Sequence, residues 1–596
     1  MKRWTSRILT GLWIVLAALA VMVLVGVMPA RDAIAVAYPD PIVMTEDVRA
    51  SVAAAGRPDH DPKLPTAVIV ASSRGANAAD ALAPYEVLSV SGEFNVYTAA
   101  PVRRPVPLSG GLDLVPDFSF TELERQFPEG VDVVIAPEVP DGREVTSDPV
   151  RDWLSAQASA GATVMGVCVG AELLARAGLL DGQEATSNWL ALSMGGMEKR
   201  YPQVRWAKDV RYVDNGRVIT TAAVLSGVDG ALRILERQAG QAVARRAAAA
   251  VGWSHYQPGR PAPVPGSRVE LPDAVALFNL GYREPARMGV MLTDGVGEIE
   301  LASALRPYTT LAFVAEPRTV TMDGTPIRSR HGLTFVPRAT LADVGEDLDR
   351  LVVPGLAASQ VADPALAKAA AAVGLEAEYL HAEREFPFDA ALHDVAATTD
   401  VATATWVAKT LEYPVRTELN GAAWPWLLTG QALAAALVGA AVAAGIGWLL
   451  HRRPPVRHFV RHAIEMFLAM AAGMMLLDPV WSMFWPSLSD RPDAHVLVMA
   501  LDMTIGMGLW MWIRAHHWRM IAEMGVAMVA PFVVLLVPYY LGLLSGKGLM
   551  DIGHAAMMLA MVAVMLLRVH HYAQPQGWRW RQRQAESTET EPISVA

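Results

Sequence analysis

The chain has one cysteine, Cys168, set in Gly166-Val167-Cys168-Val169-Gly170 between a β-branched run and an alanine- and leucine-rich segment. A thiol at a strand-to-helix junction, with glycines two positions either side, can sit on a sharp turn at the carboxyl edge of a sheet. The helix N-terminus behind it favours a thiolate and offers N–H groups to an oxyanion. The same spacing equally fits a cysteine packed beneath glycines. A lone cysteine forms no intramolecular disulfide, so it is either buried and inert or kept for its chemistry.

A second constellation lies near the C-terminus. His462, Glu465, Met466 and Met470 share one apolar segment; Met499, Asp502 and Met503 the next; Met520, Glu523, Met524 and Met528 a third; and His554, Met557, Met558, Met561 and Met565 a fourth. On a helix the His554 set falls within about a third of the circumference. A carboxylate inside a bilayer is costly unless paired, so these groups are expected to face the interior of a helical bundle. Thioether and imidazole suit copper, particularly Cu(I), while carboxylates suit a harder ion or a proton. The candidate metal ligands are therefore His462, Glu465, Met466, Asp502, Glu523, His554 and Met558, for copper or another metal. The competing reading is methionine as a flexible gap-filler with polar helix–helix contacts.

The elements that would hold these groups are of two materials. The 53% hydrophobic content of the 596 residues is concentrated at the N-terminus and beyond about residue 424. Residues 1–30 read as a membrane anchor or signal peptide, with Lys2, Arg3 and Arg7 ahead of an apolar run from Ile8 to Met28, and residues 31–64 as a linker. Later apolar segments fall at 424–450, 459–477, 495–513, 520–543 and 550–569, each about the length needed to cross a hydrocarbon core. The basic clusters at 451–461, 514–519 and 568–583 all share one side if there are six spans. By the positive-inside rule that side is cytoplasmic. The expectation is a multi-pass plasma-membrane protein with both termini cytoplasmic and residues 31–423 outside, a five-helix bundle at 424–570, and a basic then polar tail at 571–596. Membrane lipid is thus an expected partner. The net charge of −10, with no basic stripe, gives no reason to expect nucleic acid.

Between the apolar regions, short β-branched runs alternate with helical stretches: Ala67–Ala71, then 78–90, 94–98, Val131–Ile135, 148–160 and Thr163–Val167. That order implies an α/β sandwich with a flavodoxin-like parallel sheet. Gly166-Val167-Cys168-Val169-Gly170-Ala171, Leu173-Leu174-Ala175, Ala177-Gly178-Leu179-Leu180-Asp181-Gly182 and Ala185-Thr186 resemble the nucleophile-elbow region of the DJ-1/PfpI superfamily, which has a class I glutamine amidotransferase-like fold. The resemblance is in particular to the sensor-like domain of AraC-type regulators. It begins at Pro84-Tyr85-Glu86-Val87-Leu88, continues into Val213–Thr220 and Gly227–Leu232, and covers 65–240. It implies Cys168 as the elbow cysteine and Glu86 as the acidic residue that approaches the sulfur. Asn188, in Ser187-Asn188-Trp189, stands where hydrolytic members carry a histidine. Asparagine is no general base near neutral pH, which argues against Cys–His hydrolysis. Pro137-Glu138 replaces the family's Pro-Gly. Gly166, Gly170, Pro137 and Glu138 are the expected ligand-binding residues, and the resemblance implies no cofactor for the soluble domains.

Residues 285–412 look like a degenerate second copy, after a helix and Pro-rich linker at 241–284. Met288–Leu292 corresponds to Ala67–Ala71, and Leu351-Val352-Val353-Pro354-Gly355 to Val133–Pro137. The copy has no cysteine and no obvious counterpart of Glu86. A tandem or pseudo-dimeric arrangement follows, with a homodimer through these domains as a further expectation. Three functions compete. The first is a membrane-anchored module sensing or binding a small molecule or redox signal. The second is a thiol-dependent hydrolase, amidase or deglycase-like enzyme using Cys168 and Glu86. The third is a metal- or proton-handling membrane protein. The first is preferred, because Asn188 weakens the second.

Overall fold

The computed structural model describes residues 37–572 apart from 262–263, 265–267, 310–311, 415–417, 453, 485–491 and 541–545. The expected anchor at 8–28 and the tail beyond 572 lie outside the described residues. The chain forms two units and passes from one to the other within the helix Trp426–Arg452.

The first unit contains two parallel-sheet α/β sandwiches. In the first, β1 (Thr66–Val70), β2 (Asn95–Ala100), β5 (Phe118–Ser119), β6 (Val133–Ala136), β7 (Thr163–Val167), β10 (Tyr212–Asp214) and β11 (Val218–Thr221) form one sheet. Their order is β10-β11-β7-β6-β1-β2-β5. Only β10 runs antiparallel to its neighbour. β3 (Val106–Leu108) and β4 (Leu112–Val115) form a hairpin, and β8 (Glu184–Ala185) pairs with β9 (Arg205–Trp206). Helices cover both faces, so β1 is buried along its whole length, as a Thr-Ala-Val-Ile-Val strand requires. Strand order reverses between β1 and β6, which opens a crevice at their carboxyl ends.

The second sandwich uses β12 (Ala286–Met291), β13 (Ala315–Thr321), β16 (Ala339–Thr340), β17 (Arg350–Val353) and β18 (Ala377–Tyr379), ordered β16-β13-β12-β17-β18 and parallel throughout. This is the order β5-β2-β1-β6-β7 repeated without the two strands beyond β7. β14 (Ile327–Arg328) and β15 (Thr334–Val336) pair antiparallel, and β15 pairs in turn with β4, Phe335 opposite Leu114. One four-stranded sheet therefore runs through both copies, and the helix Ala78–Ser91 packs on Glu298–Ser303 beside it. One hydrophobic core spans the two copies.

The second unit is helical: Pro454–Phe484, Pro492–Ile513, Trp518–Tyr540, Gly546–Leu567 and Val569–Tyr572. Among the described residues, three helices are long and apolar enough to cross a membrane, Trp426–Gly445, Asp493–Ile513 and Trp518–Tyr540, and Ile552–Leu567 is a shorter apolar helix. The expected span 459–477 lies in Pro454–Phe484, which carries Arg461, His462 and Glu465 and is not among those three. The core of this unit is methionine: Met466, Met470, Met507, Met524, Met528, Met557 and Met561 are buried in one cluster. Pro454–Phe484 and Pro492–Ile513 cross at Gly473 and Gly506. A Cβ on Gly506 would lie 2.3 Å from the Ala469 carbonyl oxygen, so only glycine allows this approach.

Candidate functional site

β7 ends at Val167, a single 3₁₀ turn covers Cys168–Gly170, and the helix Ala171–Arg176 follows. Cys168 takes φ = 56°, a left-handed conformation that costs a non-glycine residue about 1 kcal/mol or more. Its neighbours hold it there. A Cβ on Gly170 would stand 2.1 Å from the Ala136 carbonyl oxygen, and one on Gly166 would stand 3.0 Å from the Ala171 backbone. The Ser187 hydroxyl donates to the Cys168 carbonyl at 2.7 Å. The expected ligand-binding glycines thus let the elbow close against β6, and Pro137 is buried beneath it.

The elbow is not open to solvent. Cys168 is 2% exposed. Its sulfur lies within 4.8 Å of carboxylate oxygens of Asp80 and Glu138. Burial first, then the charges of Asp80 and Glu138, push the thiol well above its ordinary value, against the Arg306 cation and the Val169 N–H. Asp80 is fully buried and held well above the usual carboxylate range by burial and the Glu138 charge. One of its oxygens accepts the Glu138 N–H at 3.1 Å; the other has no hydrogen-bond partner among the described residues. Asn77 caps the helix Ala78–Ser91 and donates from its amide to Glu138 at 3.1 Å. The Tyr38 hydroxyl is buried in the same field, which includes the charge of Arg306 from the second copy.

Glu86 is not part of this cluster. It lies six residues beyond Asp80 on the same helix, about 9 Å further along its axis and away from the sheet edge. There it accepts the Ile299 N–H at 2.6 Å and pairs with Arg330 at 3.3 Å, both from the second copy. It stands with Glu298 and His331 in a second group of convergent ligand atoms. The acidic neighbour of Cys168 is therefore Asp80. The legible signal was Asn77 three residues before Asp80, a cap that puts the acid in the first helical turn, at the strand's carboxyl end.

Asn188 does not take a base's role. Its side-chain oxygen caps the helix Trp189–Ser193 by accepting the Leu190 N–H at 2.9 Å, and its amide donates to the Thr410 carbonyl at 3.5 Å in the second copy.

The second copy carries its own version of the site. In the first sheet Ala136 is opposite Gly166, and in the second Val353 is opposite Tyr379, with Pro137 and Pro354 next in each chain. Two residues past these partners stand Cys168 and His381. Likewise Gly75 and Gly295, both at positive φ, precede Asp80 and Glu300 by five residues. The counterpart of Cys–Asp is thus His–Glu. His381 Nδ1 accepts the Gly355 N–H at 2.9 Å, so its proton is on Nε2, which donates to the Ser303 hydroxyl at 2.9 Å. That hydroxyl donates to the Glu300 carbonyl. Burial holds the imidazole neutral, its pKa lowered to about 4.

In the helical unit the expected metal ligands are spread over several partners. Glu465 pairs with Arg461 at 2.8 Å and Arg514 at 3.2 Å, and Asp502 accepts the Trp481 indole N–H at 2.8 Å. Glu523 pairs with Arg568, and His554 Nδ1 lies 2.8 Å from the Met550 carbonyl oxygen. Met466 is buried in the methionine core and Met558 packs against it. His462 is buried against His516, ring centroids 4.7 Å apart, and its two nitrogens have no hydrogen-bond partner among the described residues. Among the described residues, groups of three convergent His, Cys, Asp or Glu ligand atoms occur only in the first unit.

Comparison with known proteins places the first sandwich. The DJ-1/PfpI family profile matches residues 66–237. Isonitrile hydratase of Pseudomonas putida is 28% identical over 166 residues, which are 27% of this chain and 67% of that protein. The HTH-type transcriptional regulator GbdR of Pseudomonas aeruginosa is 30% identical over 166 residues, and the chain spans 43% of its length. Protein DJ-1alpha of Drosophila melanogaster is 30% identical over 162 residues, 26% of this chain and 69% of that protein. With a parallel sheet, a cysteine elbow and an acid beside it in the matched segment, the chain belongs to the DJ-1/PfpI family.

Proposed function

We propose that the tandem sandwiches are a binding or sensing module for a small molecule or a redox signal, carried on a helical membrane unit. The observation that supports this most is the state of Cys168: 2% exposed, its thiol held well above its ordinary value, beside acids rather than a base. A nucleophile in turnover needs a thiolate and a proton acceptor. Here the acceptor's place is taken by Asn188, which caps a helix. In the accompanying topology both termini are cytoplasmic and residues 31–423 are outside, in accord with the basic clusters beside the apolar segments.

Alkylation of the full-length protein by iodoacetamide from pH 6 to 10 tests this reading. The expected rate is slow at pH 7 and rises only above about pH 9, the ordinary range for a thiol or beyond it. Rapid labelling at pH 7 would instead support the enzyme reading, for which the strained φ at Cys168 is the favouring feature. In that case a hydration or hydrolysis, of the kind named for isonitrile hydratase, becomes the chemistry to assay.

For the helical unit, buried His462 beside His516 favours a metal-handling part. Metal analysis of the purified protein and of His462→Ala decides it. Metal lost with the imidazole supports the site, and no metal in either preparation ends it.

A further inference from the structure

In the helical unit His462 and His516 are each 3% exposed, and three of their four ring nitrogens are buried without a hydrogen-bond partner among the described residues. They are Nδ1 and Nε2 of His462 and Nε2 of His516. An imidazole sealed from water normally gives its N–H and its lone pair to partners, because leaving them unmade costs stability. The two rings lie at 30° to each other with centroids 4.7 Å apart, and the buried Tyr572 ring packs against both at 5.3 and 5.8 Å.

The backbone is bent to put His516 there. The helix Pro492–Ile513 is followed by Ala515 at φ = 61°, a left-handed conformation that a residue with a Cβ resists. The His516 N–H then turns back to the Met511 carbonyl at 3.0 Å, as at a helix end closed by a left-handed residue. That reversal sets His516 against Tyr572, a member of the methionine cluster.

Two imidazole nitrogens about 2.0–2.1 Å from one ion hold their ring centroids at most about 6.5 Å apart, so a single ion can bridge this pair. A separation of 4.7 Å makes the pair bent and leaves room for a third ligand. Met466 is fully buried one turn beyond His462 on the same face of Pro454–Phe484, where helical side chains lean back over the preceding turn. No group of three His, Cys, Asp or Glu ligand atoms converges here among the described residues, and Glu465 is paired with Arg514 at 3.2 Å. A divalent ion on two neutral rings and a thioether would carry uncompensated charge into an apolar core. Cu(I) brings a single charge and favours soft ligands.

We propose that His462 and His516 bind one Cu(I) ion, with Met466 as the third ligand. This site rests on the metal-handling reading of the helical unit, to which it adds a ligand set and an oxidation state.

The test uses the full-length Cys168→Ser protein in a non-ionic detergent with ascorbate, since the lone thiol would compete for a soft ion. One Cu(I) per chain is expected to be retained against bathocuproine disulfonate, with nitrogen and sulfur neighbours in X-ray absorption. That spectrum reads the ligand set with no substitution at the site. His462→Ala and His516→Ala are each expected to weaken Cu(I) binding by at least about tenfold, the loss that follows removal of even an outer-shell partner. Met466→Leu is expected to remove the sulfur scattering. Coordination by sulfur alone, unchanged Cu(I) retention in either histidine variant, or sulfur scattering that persists in Met466→Leu would each overturn the proposal. Zinc bound in place of copper and lost with His462 would overturn the copper site and leave the metal-handling reading standing. No retained metal of any kind would remove both.

Discussion

At the scale of single residues, burial lifts the carboxyls of Asp80, Glu86 and Asp113 above their ordinary range. Glu86 is pushed up to about 7 by burial first and then by the Glu298 charge, while in the unfolded chain it titrates near 4.5. An acid with a raised folded value contributes nothing below its unfolded pKa, where both states are protonated, and costs stability as pH rises from about 4.5 through 7. Glu86→Gln, which keeps an acceptor for the Ile299 N–H, is therefore expected to raise the unfolding temperature by about a few degrees at pH 8 and to change little at pH 4. A loss at pH 8 would mean that the Arg330 pair outweighs the cost of burial. His381 has the opposite sense: its value falls to about 4, so its contribution is full above about 6.5 and is lost as pH falls through 4. The cysteine elbow was legible from residue types alone. Its acid was not, because Glu86 sits in the motif that draws the eye while Asp80 sits in the turn that reaches the sulfur.

At the scale of elements, the elbow is a packing problem solved by two glycines. Gly170 faces the Ala136 carbonyl oxygen so closely that any Cβ must push the 3₁₀ turn away from β6. Gly170→Ala is expected to cost about 3 kcal/mol or more, and to speed alkylation of Cys168 as the turn lifts. Unchanged stability and labelling would show that the turn has room to adjust. The strands β1, β6 and β7 could be read from their β-branched runs, since a strand buried on both faces must be apolar throughout. The pairing of β15 with β4 could not, because strands of three and four residues carry too little periodic signal to specify a partner in another copy.

At the scale of the whole molecule, the first unit is a pair of sandwiches that share one hydrophobic core rather than one sandwich with an appendage. Arg338 of the second copy reaches Asp113 of the first at 2.7 Å, and Asp113 is fully buried. Arg338→Ala leaves that carboxyl buried without its cation, at an expected cost of about 3–5 kcal/mol at pH 8. The cost should shrink at pH 5, because burial already lifts Asp113 to about 6 and the unpaired acid takes up a proton. Limited proteolysis is expected to cut both copies together in this variant. Cleavage confined to one copy would show that they fold independently.

The sequence by itself determined what local chemistry can write into a chain: buried parallel strands, a strained cysteine turn, a degenerate repeat and apolar segments of membrane length. These are properties of short windows, where periodicity, glycine spacing and side-chain type act directly. The tertiary structure alone decided that the sulfur is sealed, that Asp80 rather than Glu86 faces it, that Asn188 is a helix cap, and that His381 occupies the second elbow. The caps and turns among these are local, but residues far away in sequence set their surroundings where one copy meets the other, as the Arg306 charge does for Cys168 and the Thr410 carbonyl for Asn188.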